Sequence, residues 1–300
     1  MTTNKWTGII AAPHTPFAAD GSLNLGVVEK QCEKLINDGV IGAFVCGSTG
    51  EGVSMSTAER QAVAQRWIDV AAGRLKVIVH VGHTSLADAV ALATHAQESG
   101  ADATSAVAPY YFRPTTVEHL IDFLAPVATA AHELPFFYYH IPAMTGAALP
   151  MVPLLEQAPA RIPNFSGIKF SHSDLVEFAA CVAFDGGRFS LFWGMDEWTL
   201  PALSVGATRF VGSTYNYSAP LYRRLHAAFA AGDRALTEQL SATVMESVKA
   251  LLKTPGVPGG KAIMEAVGVP VGAPRPPLRP LTAGQAEILV ARLRELGAIG

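Results

Sequence analysis

Lys169 lies in the run Phe165-Ser166-Gly167-Ile168-Lys169-Phe170-Ser171 with no acidic residue beside it, and Gly167-Ile168 reads as the end of a buried strand. Lysine is almost never fully buried without a partner. Either its amine reaches water from the strand end, or desolvation keeps it neutral as a nucleophile that can form a Schiff base with a ketone. Tyr139 closes the preceding apolar run, so its phenol could lie beside the amine and move a proton to or from the reacting oxygen. Gly47-Ser48-Thr49-Gly50-Glu51 reads either as a plain glycine-bracketed turn or as a loop aiming hydroxyls and N–H groups of Ser48 and Thr49 at a carboxylate. It lacks the Gly-Lys-Ser/Thr ending of a phosphate loop. Glu51 would hold the loop by bonding backbone donors. Asp196 and Glu197 suit helix capping, hydrogen bonds to substrate hydroxyls, or both. His14, His80, His83, His140 and His172 match no local zinc spacing, and chemistry through a Schiff base needs no metal, so structural or outer-shell roles are expected for them.

These residues must be brought together by the elements around them. Strands are expected at Gly8 to Ala12, Ile41 to Cys46, Val77 to Val81 and Ala103 to Ala108. Four more follow at Leu134 to Tyr139, in the run ended by Lys169, at Phe189 to Trp193 and at Thr208 to Gly212. Helical patterns fall between them, over residues 25–38, from Thr57 as cap, and over 86–99 behind Thr84 or Ser85. The pattern continues over 116–131, near 150–158, over 173–184, after Gly194-Met195 and over 219–231. Strand and helix alternating at a period of about 30 residues argue for a (β/α)8 TIM barrel, whose site lies at the C-terminal strand ends. No glycine-rich dinucleotide loop follows the first strand, which disfavours a doubly wound sheet. Residues 1–232 therefore read as the barrel. Residues 233–300 read as a C-terminal helical extension packed on it, with helices over 233–253, 260–267 and 282–297 separated by Pro255 to Gly260 and Val269 to Pro280.

Composition narrows the function classes. With 50% hydrophobic and 16% charged residues, the 300-residue chain suits a well-buried enzyme with room for subunit interfaces. A formal charge of -3 offers no broad basic surface for nucleic acid or an anionic membrane. Cys32, Cys46 and Cys181 read as buried thiols in a reducing compartment. Met1 to Asn24 lacks the apolar core of a signal peptide, and no run reaches the length of a membrane span, so a cytoplasmic protein is expected.

Together these motifs resemble the pyruvate-dependent class I aldolase family that includes N-acetylneuraminate lyase and dihydrodipicolinate synthase, from Gly8 to at least Asn216. In that family the loop matching Gly47 to Glu51 binds the keto-acid carboxylate, and Tyr139-His140-Ile141-Pro142 matches the Tyr-x-x-Pro motif. The resemblance implies Lys169 as Schiff-base residue, Tyr139 and Ser48 as catalytic partners, and Tyr111 as a tyrosine reaching the neighbouring subunit's site. It thereby implies a dimeric unit, usually paired into a homotetramer. YYHIPAMTG (138–146), GIKFS, GMDE and GSTYNY are similar to the lyase branch. There Asp196, Glu197 and Ser213 would hold the polyhydroxy tail, Gly194 and Gly212 would lend backbone groups, and Ser171 would reach the substrate near C4. In the synthase branch an arginine stands where this chain has Met144, which cannot bind a second carboxylate. The implied reaction is reversible cleavage of N-acetylneuraminate, or of another 2-keto-3-deoxy sugar acid, releasing pyruvate without cofactor or metal. Alternatives are the synthase reaction and a non-catalytic sugar-acid binder.

Overall fold

A computed structural model describes residues 6–300. Among them the short apolar runs form eight strands. The first four are β1 (Gly8–Ala11), β2 (Gly42–Val45), β3 (Lys76–His80) and β4 (Ala103–Val107). They are followed by β5 (Phe136–His140), β6 (Phe165–Phe170), β7 (Ser190–Trp193) and β8 (Arg209–Gly212). Sequential neighbours pair in parallel and β8 pairs with β1, which closes the barrel. The strands read as continuous apolar runs because they are buried on both faces. Ile10, Phe44, Ile78, Val107, Phe137 and Phe192 fill the interior. Trp6, just ahead of β1, stands edge-on to Phe137 and Phe192 at 5.6 and 6.2 Å. Alternate residues face outward into a second apolar layer beneath the helices.

The wall is built from α1 (Val27–Asn37), α2 (Thr57–Ala71), α3 (Leu86–Glu98) and α4 (Val117–Thr129). It continues through the single-turn α5 (Pro142–Thr145), α6 (Met151–Gln157), α7 (Leu175–Ala183), α8 (Thr199–Ser204) and α9 (Tyr215–Ala230). Two starts differ from the sequence expectation. Thr57 does not cap α2: Ser56 accepts from the Glu59 N–H, and the Glu59 carboxylate accepts from the Ser56 N–H, a complete capping box one residue earlier. Helix α9 begins at Tyr215, not 219. Ser218 (φ -120°, ψ 15°) divides it in two, and Pro220 lies in the first turn of the second segment, so the signal at 219 marks that segment alone.

Helices α10 (Arg234–Leu252), α11 (Gly256–Ala266) and α12 (Ala283–Glu295) come after the barrel. Their Leu240, Val244, Ile263, Met264 and Leu289 belong to the same apolar layer as the barrel's outer face. The stretch Pro255 to Gly260, expected as a break, is mostly the start of α11. Pro258 is harmless there because a first-turn N–H has no helical acceptor. Gly260 is required by packing, since a Cβ would come within 2.5 Å of His14 Nε2.

One irregularity positions the site. The β5–β6 register shifts between Phe136 and Phe137, and Gly167 sits at φ +147° with no room for a Cβ against the Ser190 carbonyl. Such a bulge re-aims the residues after it, and Lys169 is two positions on.

Candidate active site

Beyond the shift, Tyr139 and Lys169 are register partners on β5 and β6, so both side chains enter the barrel from adjacent strands. Lys169 is the penultimate residue of its strand, not the last. It is 4% exposed, and its Nζ lies 3.7 Å from the centroid of the Tyr139 ring and 4.0 Å from that of Phe44. Burial pushes the amine below its ordinary value of 10.5, while Tyr139 and Asp196 pull the other way. The two aromatic faces thus hold an amine made easier to deprotonate. Sequence reasoning missed Phe44; its only signal was its inward position on β2.

Ser48 Oγ stands 3.5 Å from the Tyr139 hydroxyl, which joins the glycine-bracketed loop to the phenol. Inside the loop, the Glu51 N–H donates to the Ser48 carbonyl and the Gly52 N–H to Gly47, both at 3.1 Å. Ser48 and Thr49 are half-buried. Behind Tyr139, His80 meets its ring edge-on at 5.8 Å, and the His80 Nδ1 lies 3.1 Å from the Cys46 carbonyl. Burial, then Arg60 and Lys169, hold His80 well below its ordinary value, so it is neutral and its Nδ1–H donates to Cys46. Arg60, 1% exposed, donates to the carbonyls of His80 (2.6 Å) and Gly82 (2.9 Å).

The far rim comes from the loops after β7 and β8. Asp196 does not cap a helix. Its Oδ2 accepts from the N–H (2.9 Å) and hydroxyl (2.7 Å) of Thr214, and Oδ1 is buried without a partner. Burial raises its pKa; the two Thr214 bonds and Lys169 oppose this. Gly212 must lack a side chain, because a Cβ would overlap the Asp196 carboxylate. Glu197 is half-buried and is likewise raised by desolvation. Ser171 places its Oγ over Gly194, where again a Cβ would not fit, and Ser213 is half-buried beside Thr214. Two backbone groups expected to face substrate are already engaged. The Gly194 N–H donates to the Phe170 carbonyl (2.8 Å), and the Gly212 carbonyl accepts from the Ala12 N–H (2.9 Å).

Tyr111 does not join this group. It is 79% exposed, edge-on to Phe112 at 5.1 Å, and lines a surface hollow of about 330 Å³ with Thr84, Ser85 and Pro109. On the outer face of β5, His140, His172 and Glu177 bring possible metal-ligand atoms within 4.8 Å of one another. One Glu177 oxygen accepts from the Met151 N–H. No local spacing could reveal this group, since its members come from different elements.

A closed parallel barrel with a desolvated lysine against a tyrosine at the C-terminal strand ends defines a protein of the Schiff-base TIM-barrel class. The chain belongs to the dihydrodipicolinate synthetase family, whose model matches residues 5–296. It is 40% identical over 299 residues to N-acetylneuraminate lyase of Homo sapiens, covering 97% of this chain and 93% of that protein. Among solved structures it is similar to Proteus mirabilis N-acetylneuraminate lyase, with a TM-score of 0.96 and 42% identity over 99% of this chain and 100% of that one. The Bacillus anthracis dihydrodipicolinate synthase DapA-2 gives a TM-score of 0.91 and 27% identity, over 96% and 98%. Among the described residues no helix is long and apolar enough to cross a membrane.

Proposed function

We propose that this chain is a class I aldolase that cleaves N-acetylneuraminate reversibly to pyruvate and N-acetylmannosamine. The observation that carries this reading is the buried Lys169 amine 3.7 Å from the Tyr139 ring, with Ser48 at the phenol. The identities of 40% and 42% to N-acetylneuraminate lyases, against 27% to the synthase, support the sugar acid as substrate. So does Met144, 68% exposed where the synthase branch has its arginine.

Ser48 and Thr49 hold the substrate carboxylate. The neutral Lys169 amine adds to the C2 ketone, and loss of water leaves a protonated imine between C2 and Nζ. Tyr139 then relays the proton released by the C4 hydroxyl. As that hydroxyl becomes an aldehyde, the C3–C4 bond breaks and its electron pair forms an enamine, neutralising the iminium nitrogen. N-acetylmannosamine departs. Protonation at C3 and addition of water at C2 release pyruvate and free the amine. The unpartnered Asp196 Oδ1 accepts from a tail hydroxyl, with Glu197, Ser213 and Ser171 on the same rim. Gly194 contributes its carbonyl, since its N–H is taken, and Gly212 leaves the room that the Asp196 carboxylate occupies. Tyr111 serves the site of a neighbouring subunit, within a homotetramer built as a dimer of dimers.

Borohydride reduction in the presence of pyruvate tests the reading: mass spectrometry of the digest should find the reduced adduct on Lys169. An unmodified Lys169 refutes the Schiff base. Release of pyruvate from N-acetylneuraminate should exceed release from shorter keto-deoxy acids, and the reverse order reassigns the substrate. Tyr139→Phe should retain the trapped adduct while turnover falls by about 10²-fold or more.

A further inference from the structure

Glu51 leaves the carboxylate-binding loop through a left-handed backbone (φ +54°), and Cys46 enters it through another (φ +60°). A residue with a Cβ is strained in this conformation, so surrounding contacts must hold it. The Glu51 side chain turns under the loop and is 1% exposed. Its Oε1 lies 2.8 Å from Lys261 Nζ of α11, and its Oε2 accepts from the Arg275 N–H at 2.8 Å. Lys261 is as deeply buried. It donates to the carbonyls of Thr15 (2.9 Å) and Ala273 (3.1 Å), above the Phe17 ring at 4.3 Å. Thr15 closes the circuit by donating its hydroxyl to the Gly50 carbonyl at 2.6 Å.

The charge beneath the loop has the wrong sign for its task. A buried carboxylate directly under a carboxylate-binding loop repels the ligand through a medium that screens poorly. Lys261 cancels that charge and ties the left-handed exit to the strand-one loop through Thr15. We infer that Lys261, from the C-terminal extension, is a positioning residue that makes the Gly47–Gly50 loop receptive to an anion by neutralising Glu51; this rests on the aldolase reading above. Helix α11 thereby acts on the carboxylate-binding loop from beneath, through the Lys261 contacts to Glu51 and Thr15.

Charge cancellation and simple packing predict different signs. Lys261→Met leaves Glu51 unbalanced and should raise KM for N-acetylneuraminate about tenfold, with kcat changed less than about threefold. Glu51→Gln keeps the volume and one acceptor oxygen, which serves the Arg275 N–H, while its NH2 group faces Lys261; it leaves a cation below the loop, so KM should hold or fall. The double variant should recover most of the KM lost in Lys261→Met. Equal rises in KM for both single variants, or a double variant no better than Lys261→Met, would overturn the inference. Should Lys261→Met not fold, a raised KM in the conservative Glu51→Gln alone overturns it. Amide exchange across residues 48–52 gives a readout independent of catalysis: protection should fall in Lys261→Met, and unchanged protection refutes the clamp. Failure of borohydride trapping in the unmodified protein would instead remove the aldolase reading while the exchange result still judges the clamp.

Discussion

At Lys169 the proposed chemistry and the stability of the fold pull in opposite directions. Burial lowers its pKa in the folded state, so below the ordinary value of 10.5 the unfolded chain holds a proton more firmly than the folded one. The resulting penalty is fully present below the folded pKa and disappears as pH rises past 10.5. Lys169→Met should therefore raise the melting temperature at pH 7 by ~2 °C or more, a gain of about 1 kcal/mol at this chain length. Thermal melts at increasing pH should show the advantage shrinking toward pH 10.5. A variant less stable than the parent at neutral pH would mean that the amine is better solvated than its setting between Phe44 and Tyr139 implies. Asp196 shares this logic on the opposite rim: its buried, unpartnered oxygen is unfavourable until a donor arrives.

Among the elements, α2 shows how a cap and a long-range tie share one carboxylate. Glu59 closes the capping box with Ser56 and also pairs with Arg275, which further donates to the Gly21 and Ser54 carbonyls. The Arg275 hydrogen bond is the main cause holding Glu59 down at about 2 against an ordinary 4.5. A depressed carboxylate stabilises the fold above its unfolded pKa and loses that contribution as pH falls through its folded value. Glu59→Gln keeps the cap, because glutamine serves equally at that position, and removes the ionic tie with one of the two oxygens that accept from Arg275. The variant should melt lower than the parent at pH 7, and the difference should narrow steadily between pH 4.5 and about 2. A gap independent of pH would assign the loss to the cap instead.

For the whole molecule, Tyr111 and Phe112 are 79% and 86% exposed beside a hollow in the surface, a costly arrangement for a chain that stays alone. If Tyr111 completes the neighbour's site, Tyr111→Ala and Lys169→Met are each deficient in a different part of one composite centre. Co-expressed chains carrying one change each should then regain about a quarter of parental activity, since half of randomly paired dimers hold one intact site. Activity no greater than the sum of the separate variants would place Tyr111 outside catalysis. Sedimentation of the parent protein would give the assembly size directly.

Hydrophobic periodicity made the barrel legible, because parallel strands buried on both faces leave unbroken apolar runs that only a repeated strand–helix unit explains. The local motifs around Lys169, Tyr139 and Gly47 to Glu51 suggested its chemistry only in combination, since a strand-end lysine alone reads equally as an amine reaching water. Residue order could not reveal Phe44 under the amine, Thr214 on the Asp196 carboxylate, or Lys261 beneath the loop. Each depends on where closure of the barrel and packing of the last three helices bring distant residues, and no local spacing encodes such contacts. Pro255 to Gly260 misled for the same reason: glycines that look like a break are there to admit His14 and other close neighbours. The chain's sequence thus determined the scaffold and singled out Lys169 and Tyr139 as the proposed pair, whereas the electrostatic setting of that pair came only from tertiary packing, because desolvation and charge cancellation depend on three-dimensional distance.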